Sequence, residues 1–405
     1  MTFCRRIAGL SFLISLSIQA EKLSLQTFAG LVAGHFQSVD PQAQPIQNSD
    51  DWKRALPASL STQRWDRNHP TIDMMDAFRV SISKDPANFY PSGQNVLYAF
   101  GGPDVFYPLS LFPSFKRLVI IGREDIKALP QVDENDASQI LSLLKDVGTA
   151  TRDLLSMTSF SITSKMKEQI TNSVGMATIL VAGLASEGFR LQNVIFYSDV
   201  FCEEGDGACS LVSLPSDFAD LKKDTRLLGF KIIVDRGVEA PSREIFYFDQ
   251  DLADSPEQFR HPNFFRYLHQ QRFDTSFFKA ASYLTQLPSF SQISEIALNS
   301  EYVVQSDCGL PFASCLSHPN WEIQLYGNYT QRDPITFDYV SDQVDLKKAY
   351  EVTRSGRSRR YLNAQWRGEV QINGTSIAYD YAGVQPRVQM SNFMIARRGS
   401  QTFPR

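Results

Sequence analysis

The residues best placed to do chemistry lie in the loop Gly101-Gly102-Pro103-Asp104, which directly follows the β-type run Val96–Phe100. A carboxylate after a strand is where α/β proteins commonly place ligand-binding groups, at the carboxyl ends of the strands. Two glycines allow the backbone to approach a ligand closely or to adopt a positive φ. Three nearby side chains could add polar contacts: Tyr98, Tyr107 and Arg123. Asp104 is therefore the leading candidate for a binding or catalytic residue.

The same tetrapeptide also fits a purely structural role. Gly102-Pro103-Asp104 is typical of a tight turn, in which Asp104 would cap the segment that follows. Capping by aspartate is far commoner than catalysis. The sequence therefore favours the structural role and leaves the functional one as the alternative.

A second group of carboxylates, formed by Asp249, Asp251 and Asp254, follows the β-type run Arg243–Phe248. Oxygen ligands clustered after a strand could bind a hard cation. The same residues also fit an ordinary turn and helix start, because a Ser-Pro pair follows the last of them. We favour the turn.

Asp307, which directly precedes Cys308, is a third carboxylate at the end of a predicted strand. If Asp104 converged with Asp249 or with Asp307, a pair of carboxylates with separated pKa values would support hydrolysis. Whether they converge depends on the order of the strands.

Common catalytic and cofactor-binding fingerprints are missing from the sequence: it has no G-x-S-x-G, no P-loop, no G-x-G-x-x-G, no H-E-x-x-H and no EF-hand loop. The five histidines are scattered. His261 and His269 lie eight residues apart, but a metal site needs three or four converging ligands. We therefore predict neither a metal site nor a cofactor.

Apart from Cys4, the cysteines form two pairs with six intervening residues each: Cys202 with Cys209, and Cys308 with Cys315. An even count in an exported chain predicts disulfides. Three connectivities are open, and we prefer the two local pairings because both intervals look like closed loops. A four-thiolate zinc site is the alternative, although zinc ligands are usually two to four residues apart.

The elements that must position these groups begin with two β-type runs, Val96–Phe100 and Arg117–Gly122, separated by the apolar segment Val105–Phe115. This pattern predicts a strand–crossover–strand unit. Pro108 and Pro113 interrupt the short crossover, so a wide hairpin is the alternative.

Further strands are predicted at Val194–Ser198, Arg226–Val234, Arg243–Phe248, Tyr302–Gln305, Trp321–Tyr329 and Asn392–Ile395. Further helices are predicted at Asp136–Ser161, Ile162–Glu187, Pro262–His269, Phe273–Leu287 and Ser289–Ser300. The fold class is therefore α/β (or α+β), with a mixed sheet flanked by helices. We expect residues 21–90 to form a helical N-terminal segment and residues 91–405 to form one α/β body.

The first twenty residues fit a secretory signal peptide. Arg5 and Arg6 precede the apolar run Ile7–Ile18, and Ala20 is a small residue suited to cleavage before Glu21. The apolar run is too short to span a bilayer comfortably, and an uncleaved anchor is the alternative. We therefore expect an exported protein, periplasmic or secreted, with no membrane span in the mature chain.

The formal net charge is −4, which argues against nucleic acid as a main partner because phosphate binding needs a concentrated basic face. The missing motifs and the many aromatic residues lead us to expect a non-catalytic binding or envelope-interaction protein. Its partner would be an unknown small molecule or an envelope protein. A hydrolase-like enzyme that uses Asp104 with Asp249 or Asp307 is the alternative.

Six segments spread along the chain support a family resemblance. They are LYAFGGPDVFYPLSLFP from residue 97, FYFDQDLADS from 246, FFKAASYLTQLPSFSQI from 277, QSDCGLPF from 305, WEIQLYGNYTQRDPI from 321 and SNFMIARR from 391. Together they resemble a family of exported bacterial proteins with no assigned function, over about residues 52–398. The resemblance implies export from a bacterium and a single whole-chain unit, and it implies nothing about chemistry.

Overall fold

A computed structural model of the chain describes residues 25–33, 50, 70–86, 88, 90–91, 93–133, 136–156, 174–205, 207–214, 227–255, 261–279, 282–306, 309–310, 314, 321–326, 364–368, 371–372, 375–376 and 393–399. The predicted signal peptide, residues 1–20, lies outside these ranges, and so do Asp307, Cys308 and Cys315.

The helices and strands of the described residues alternate along much of the chain. The α-helices are α1 Leu25–Val32, α2 Pro70–Ser83, α3 Phe106–Leu111, α4 Ala137–Ser156, α5 Met176–Ser186, α6 Phe264–Gln270 and α7 Ser291–Leu298. The strands are β1 Asn95–Ala99, β2 Arg117–Gly122, β3 Arg190–Cys202, β4 Cys209–Ser213, β5 Gly229–Asp235, β6 Arg243–Asp249, β7 Thr275–Phe278, β8 Tyr302–Ser306, β9 Trp321–Tyr326, β10 Ala364–Gly368, β11 Gln371–Ile372, β12 Thr375–Ser376 and β13 Phe393–Arg398.

One mixed sheet organises the fold, and within the described ranges its strand order is β10-β9-β13-β8-β7-β1-β2-β6-β5-β3-β4. The central strands β8, β7, β1, β2 and β6 run parallel to one another. Antiparallel strands extend the sheet on both sides, β13 beside β8 and β5 beside β6. The predicted α/β class with a mixed sheet flanked by helices is confirmed.

The side chains of β1 alternate between two cores because successive residues of a strand point to opposite faces of the sheet. Val96 and Tyr98 belong to a core that also contains buried residues of α1, α3, α4 and α5; we call this side face A. Leu97 and Ala99 belong to the other core, with α6 and α7, on face B. A strand buried on both faces has a nearly continuous apolar sequence, as is usual in parallel sheets.

The predicted strand–crossover–strand unit is confirmed, and the hairpin alternative is wrong. β1 and β2 pair in parallel, with Leu97 opposite Val119, and α3 connects them across face A. Pro108 lies inside α3 and is tolerated there because the helix is only six residues long, so its position falls in the first turn.

The two helices described within the first ninety residues, α1 and α2, pack against the same sheet. Phe28 and Leu31 of α1 are buried in the face A core. Phe78 of α2 packs edge-on against the rings of Tyr326 in β9 and Phe393 in β13, at centroid distances of 5.5 and 4.9 Å. Helices α1 and α2 therefore share a hydrophobic core with the sheet, and most of the predicted N-terminal segment 21–90 lies outside the described residues.

The predicted helix Phe273–Leu287 is wrong, and this correction matters for the site. Its first part is the central strand β7, Thr275–Phe278, which pairs in parallel with β1 on one side and with β8 on the other. All four residues of β7 are buried. Thr275-Ser276-Phe277-Phe278 places a hydroxyl residue and a phenylalanine on each face, so it lacks the polar–apolar alternation that distinguishes a strand from a helix.

Candidate functional site

A strained loop follows β1. Phe100 has φ +61°, an uncommon backbone conformation for a bulky residue, and Gly102 has φ +53°. The backbone N–H of Asp104 donates to the carbonyl of Gly101 at 3.1 Å, and that of Val105 donates to the carbonyl of Pro103 at 2.9 Å. These tight turns bring Asp104 back over the end of the strand, where the Tyr98 hydroxyl donates to its Oδ2 at 3.2 Å.

Asp104 forms an ion pair with Lys279, the residue that follows β7. Lys279 Nζ lies 2.7 Å from Asp104 Oδ2, and the two side chains are only 12 % and 13 % exposed. Lys279 Nζ also lies over the ring of Tyr107, 2.8 Å from its centroid. The contact brings together residues that are 175 positions apart in the sequence.

The predicted capping role of Asp104 is weak in comparison. Its Oδ1 accepts from the backbone N–H of Tyr107 at 3.5 Å, which is long for a hydrogen bond. Val105 occupies the N-cap position of α3, with no side-chain cap. The ion pair with Lys279 is therefore the dominant contact of the Asp104 carboxylate among those that the structure gives.

The Asp104–Lys279 pair lies at a topological switch point. From β1 the chain crosses face A through α3 to β2, which lies next to β1 on the side away from β7. From β7 it crosses face B through α7 to β8, which lies next to β7 on the side away from β1. Because the two connections leave in opposite directions over opposite faces, the carboxyl ends of β1 and β7 mark the place where open α/β sheets bind ligands in a crevice. We call this place the switch-point crevice.

The electrostatics of the pair are dominated by burial. Burial lowers the pKa of the Lys279 ammonium to about 8, although the neighbouring Asp104 carboxylate acts in the opposite direction. A lysine with a pKa near neutrality can act as a base or as a nucleophile, whereas an ordinary lysine is almost fully protonated.

A second carboxyl group lies next to the loop. Glu124 is buried two residues after β2, and its Oε2 accepts from the Tyr247 hydroxyl at 2.8 Å and from the backbone N–H of Arg123 at 3.0 Å. Burial raises the pKa of Glu124 above its usual value. The neighbouring Gly122 leaves room for this carboxyl, because a Cβ there would lie 2.4 Å from Glu124 Oε2.

The other predicted ligand-binding residues are separated by the order of the strands. Arg123 forms an ion pair with Asp251 at 2.8 Å, and its side chain is 52 % exposed. Asp249 ends β6, which is two strands away from β1, so the strands that bear Asp104 and Asp249 are roughly 10 Å apart. The structure brings Tyr107 to Asp104 and gives Asp104 a lysine as its charged neighbour. Asp307 lies outside the described residues.

The predicted pairing of Cys202 with Cys209 is confirmed. The two residues face each other where β3 and β4 meet, with their Cα atoms 4.0 Å apart, and form a disulfide. Helix α6 holds the tip of this hairpin, because Arg266 Nη2 donates to the Gly207 carbonyl at 2.9 Å. The predicted pairing of Cys308 with Cys315 falls outside the described residues.

A polar groove of about 850 Å³ lies at the other end of the sheet, beside the start of β7 and β8. Several of its charged side chains hold strands together. Arg397 pairs with Glu322 on the neighbouring strand, and Asp274 Oδ2 accepts from the backbone N–H of Asn95 at 2.9 Å. We therefore place the candidate site at the carboxyl ends of the strands and not in this groove.

Sequence reasoning missed Lys279 and Glu124. Lys279 lies inside the wrongly predicted helix Phe273–Leu287, although a charged residue directly after Phe277-Phe278 is a signal that could have identified it. Glu124 directly follows Arg123, which the sequence indicates as a possible polar contact. Nothing in the local sequence indicates that Glu124, and not Arg123, is the buried residue.

Within the ranges that the structure covers, no group of three or more His, Cys, Asp or Glu side chains is placed to hold a metal ion. The helices among these same residues are too short or too polar to cross a membrane. Comparison of the chain with protein-family models, with curated proteins and with solved structures found no match.

Proposed function

We propose that the protein binds a small polar molecule in the switch-point crevice. The observation that supports this proposal is the Asp104–Lys279 ion pair, whose two side chains come from the ends of the two strands that border the crevice. Tyr98 and Tyr107 complete the polar surroundings of the pair.

A gain in fold stability does not explain why Asp104 and Lys279 are paired here. A largely buried ion pair is costly to desolvate and is often replaceable by apolar residues without loss of stability. The positive φ of Phe100 adds a strain of roughly 1–3 kcal/mol in the same loop. Two unfavourable features at one place, at the topological switch point of the sheet, favour a role in binding.

The chemistry of the pair indicates the kind of molecule. The carboxylate of Asp104 accepts hydrogen bonds, while the ammonium of Lys279 donates them, and the two charges offset each other. The crevice therefore favours an uncharged or zwitterionic molecule with both donors and acceptors over a strongly charged one.

A thermal-shift screen of the purified protein against sugars, amino acids, short peptides and common metabolites tests the proposal. A ligand present at a hundred times its Kd stabilises the folded state by about 2.7 kcal/mol, which is enough to detect. The shift should be lost in Asp104→Asn and in Lys279→Met.

The variant Lys231→Met is the matched control for this screen. It removes a second lysine–carboxylate ion pair, which Lys231 of β5 forms with Glu244 at 2.9 Å. This pair lies away from the crevice. The variant should keep the shift. A ligand that stabilises the two site variants as much as the wild type would refute the proposed location.

An enzyme is the second candidate, and the specific observation in its favour is the placement of Lys279 Nζ 2.7 Å from Asp104 Oδ2, where burial lowers the pKa of the lysine to about 8. In this form of the proposal, Lys279 takes the role that sequence analysis gave to a second aspartate, and Asp104 positions it. The hydrolase-like alternative with Asp104 beside Asp249 or Asp307 stays a prediction. If a hydrolytic activity is found and Asp104→Asn retains it in full, the enzyme proposal fails.

We also propose that the protein is exported and is periplasmic or secreted, with an envelope protein as an alternative partner. The signal-like residues 1–20 and the Cys202–Cys209 disulfide support this proposal. Expression with a C-terminal tag, followed by N-terminal sequencing of the exported fraction, should give Glu21 as the first residue. Recovery of only the uncleaved chain from the cytoplasm would contradict it.

A further inference from the structure

We infer that Lys279 forms a reversible imine with an aldehyde or ketone bound in the switch-point crevice. This inference rests on the proposed function of that crevice and names the chemical class of its ligand. It assigns to Lys279 a covalent role that a lysine serving only as an ionic partner would not have.

The geometry places the reactive atom at the crevice. Lys279 directly follows β7, so its side chain leaves the sheet at the carboxyl end of a central strand. Its Nζ lies between Asp104 Oδ2 at 2.7 Å and the ring of Tyr107, whose centroid is 2.8 Å away. These two contacts hold the amine in place, and the side chain as a whole is 12 % exposed.

Protonation also favours this reaction. Only the neutral amine attacks a carbonyl carbon, and with a pKa of about 8 roughly a fifth of the Lys279 side chains are neutral at pH 7.4. At the ordinary lysine value near 10.4, the neutral fraction would be about one in a thousand. Burial therefore raises the concentration of the nucleophile by about two orders of magnitude.

The reaction balances without a further reactant. The Lys279 ammonium passes a proton to Asp104, the nitrogen lone pair then forms a bond to the carbonyl carbon, and one of the two remaining nitrogen protons moves to the carbonyl oxygen. The carbinolamine loses its hydroxyl group as water, and the proton held by Asp104 supplies the second hydrogen of that water. The products are a protonated imine and one water, so no electrons are gained or lost. The iminium retains the positive charge opposite the Asp104 carboxylate, which stabilises it.

The chain contains a matched lysine for comparison. Lys231 Nζ pairs with Glu244 Oε1 at 2.9 Å, lies 5.5 Å from the ring centroid of Phe246 and has a side chain that is 17 % exposed. It resembles Lys279 in its carboxylate partner, its aromatic neighbour and its exposure. It differs in its place, because it lies within the antiparallel strand β5 and not at the switch point.

Reductive trapping in the intact protein tests the inference. The protein is treated briefly with propanal and sodium cyanoborohydride at pH 7, digested, and analysed by mass spectrometry for N-propyl groups on Lys279 and Lys231. We expect Lys279 to be modified at least about tenfold faster than Lys231, given the neutral fraction of its amine. The rate at Lys279 should level off above about pH 8.

Equal or slower modification of Lys279 relative to Lys231 would overturn the inference, and so would a rate at Lys279 that keeps rising steeply through pH 9. Lys279→Arg, which keeps a cation beside Asp104, serves as the folded control and should lose the fast site alone. If a molecule from the thermal-shift screen needs Lys279 for binding but leaves no reducible adduct there, the imine is refuted and the proposed function stands. If its stabilising effect persists in both Lys279→Met and Asp104→Asn, the proposed function is refuted, whatever the reactivity of Lys279.

Discussion

Replacing Lys279 by methionine should change the pH dependence of stability in a defined direction. Burial lowers the pKa of the folded-state ammonium to about 8, against an ordinary value near 10.4 in the unfolded chain. Below pH 8 both states carry the proton, and the folded state bears the full cost of a desolvated charge. Above pH 8 the folded state releases the proton while the unfolded state keeps it, so the unfolded state binds more protons and stability rises with pH.

The size of the effect follows from the two pKa values. Integration of the proton-binding difference gives the wild type a gain of about 1 kcal/mol between pH 7 and pH 9 that a variant without the titrating amine does not share. The difference between the unfolding free energies of wild type and Lys279→Met should therefore grow by about that amount over this range. The prediction concerns only the change of this free-energy difference with pH. The difference at pH 7 itself also contains the cost of leaving Asp104 without its partner.

Urea unfolding at pH 7, 8 and 9 and at constant ionic strength measures the slope, with the buried Trp321 as one fluorescent reporter. Lys279→Arg provides the control, since arginine stays protonated over this range, and the wild type should gain about 1 kcal/mol relative to it as well. A difference that is constant with pH, or that shrinks as pH rises, would show that burial does not lower the pKa of Lys279.

Three further predictions concern the surroundings of the site. Gly122→Ala should destabilise the fold by about 3 kcal/mol in urea unfolding, since the new Cβ would lie 2.6 Å from the Tyr247 hydroxyl oxygen and would also meet backbone. Gly188→Ala is the control: this glycine has φ +78° but open space around it, so the substitution should cost only about 1 kcal/mol. Equal losses of stability in the two variants would argue against the clash at Gly122. Tyr247→Phe should cost about 1–3 kcal/mol in the same assay because a buried carboxyl loses its donor, and an unchanged midpoint would contradict this. Replacing Cys202 and Cys209 by serine should cost roughly 2–3 kcal/mol without reductant, and the difference from wild type should vanish when both are reduced.

The central part of the fold could be predicted because its local signals agree. In β1 and β2, apolar runs end in a glycine loop, and the intervening segment is too long for a tight hairpin. The position of Asp104 after β1 follows from the same pattern. For these elements the local sequence is consistent with the tertiary structure, which is when reasoning from sequence succeeds.

The partner of Asp104 could not be predicted, and the reason is physical. Thr275–Phe278 is buried on both faces, so its residues show no polar–apolar alternation. Its role as a strand depends on backbone hydrogen bonds with β1 and β8, which are formed by distant parts of the chain. Glu124 poses a similar problem, since its burial depends on the space left by Gly102 and Gly122 and on the hydroxyl group of Tyr247.

The pairing of β1 with β7 has a consequence for how the chain acquires its site. Asp104 and Lys279 are 175 residues apart, so a ribosome adding 5–20 residues per second completes the second about 10–35 s after the first. Until then the exposed edge of β1 has no partner on that side, and such long-range parallel pairing makes folding slow. The Asp104–Lys279 pair therefore forms only after β1 to β7, seven of the eleven strands that the structure describes in this sheet, have been made. A molecule that binds there stabilises the pairing of β1 with β7 and not a preformed part of the chain.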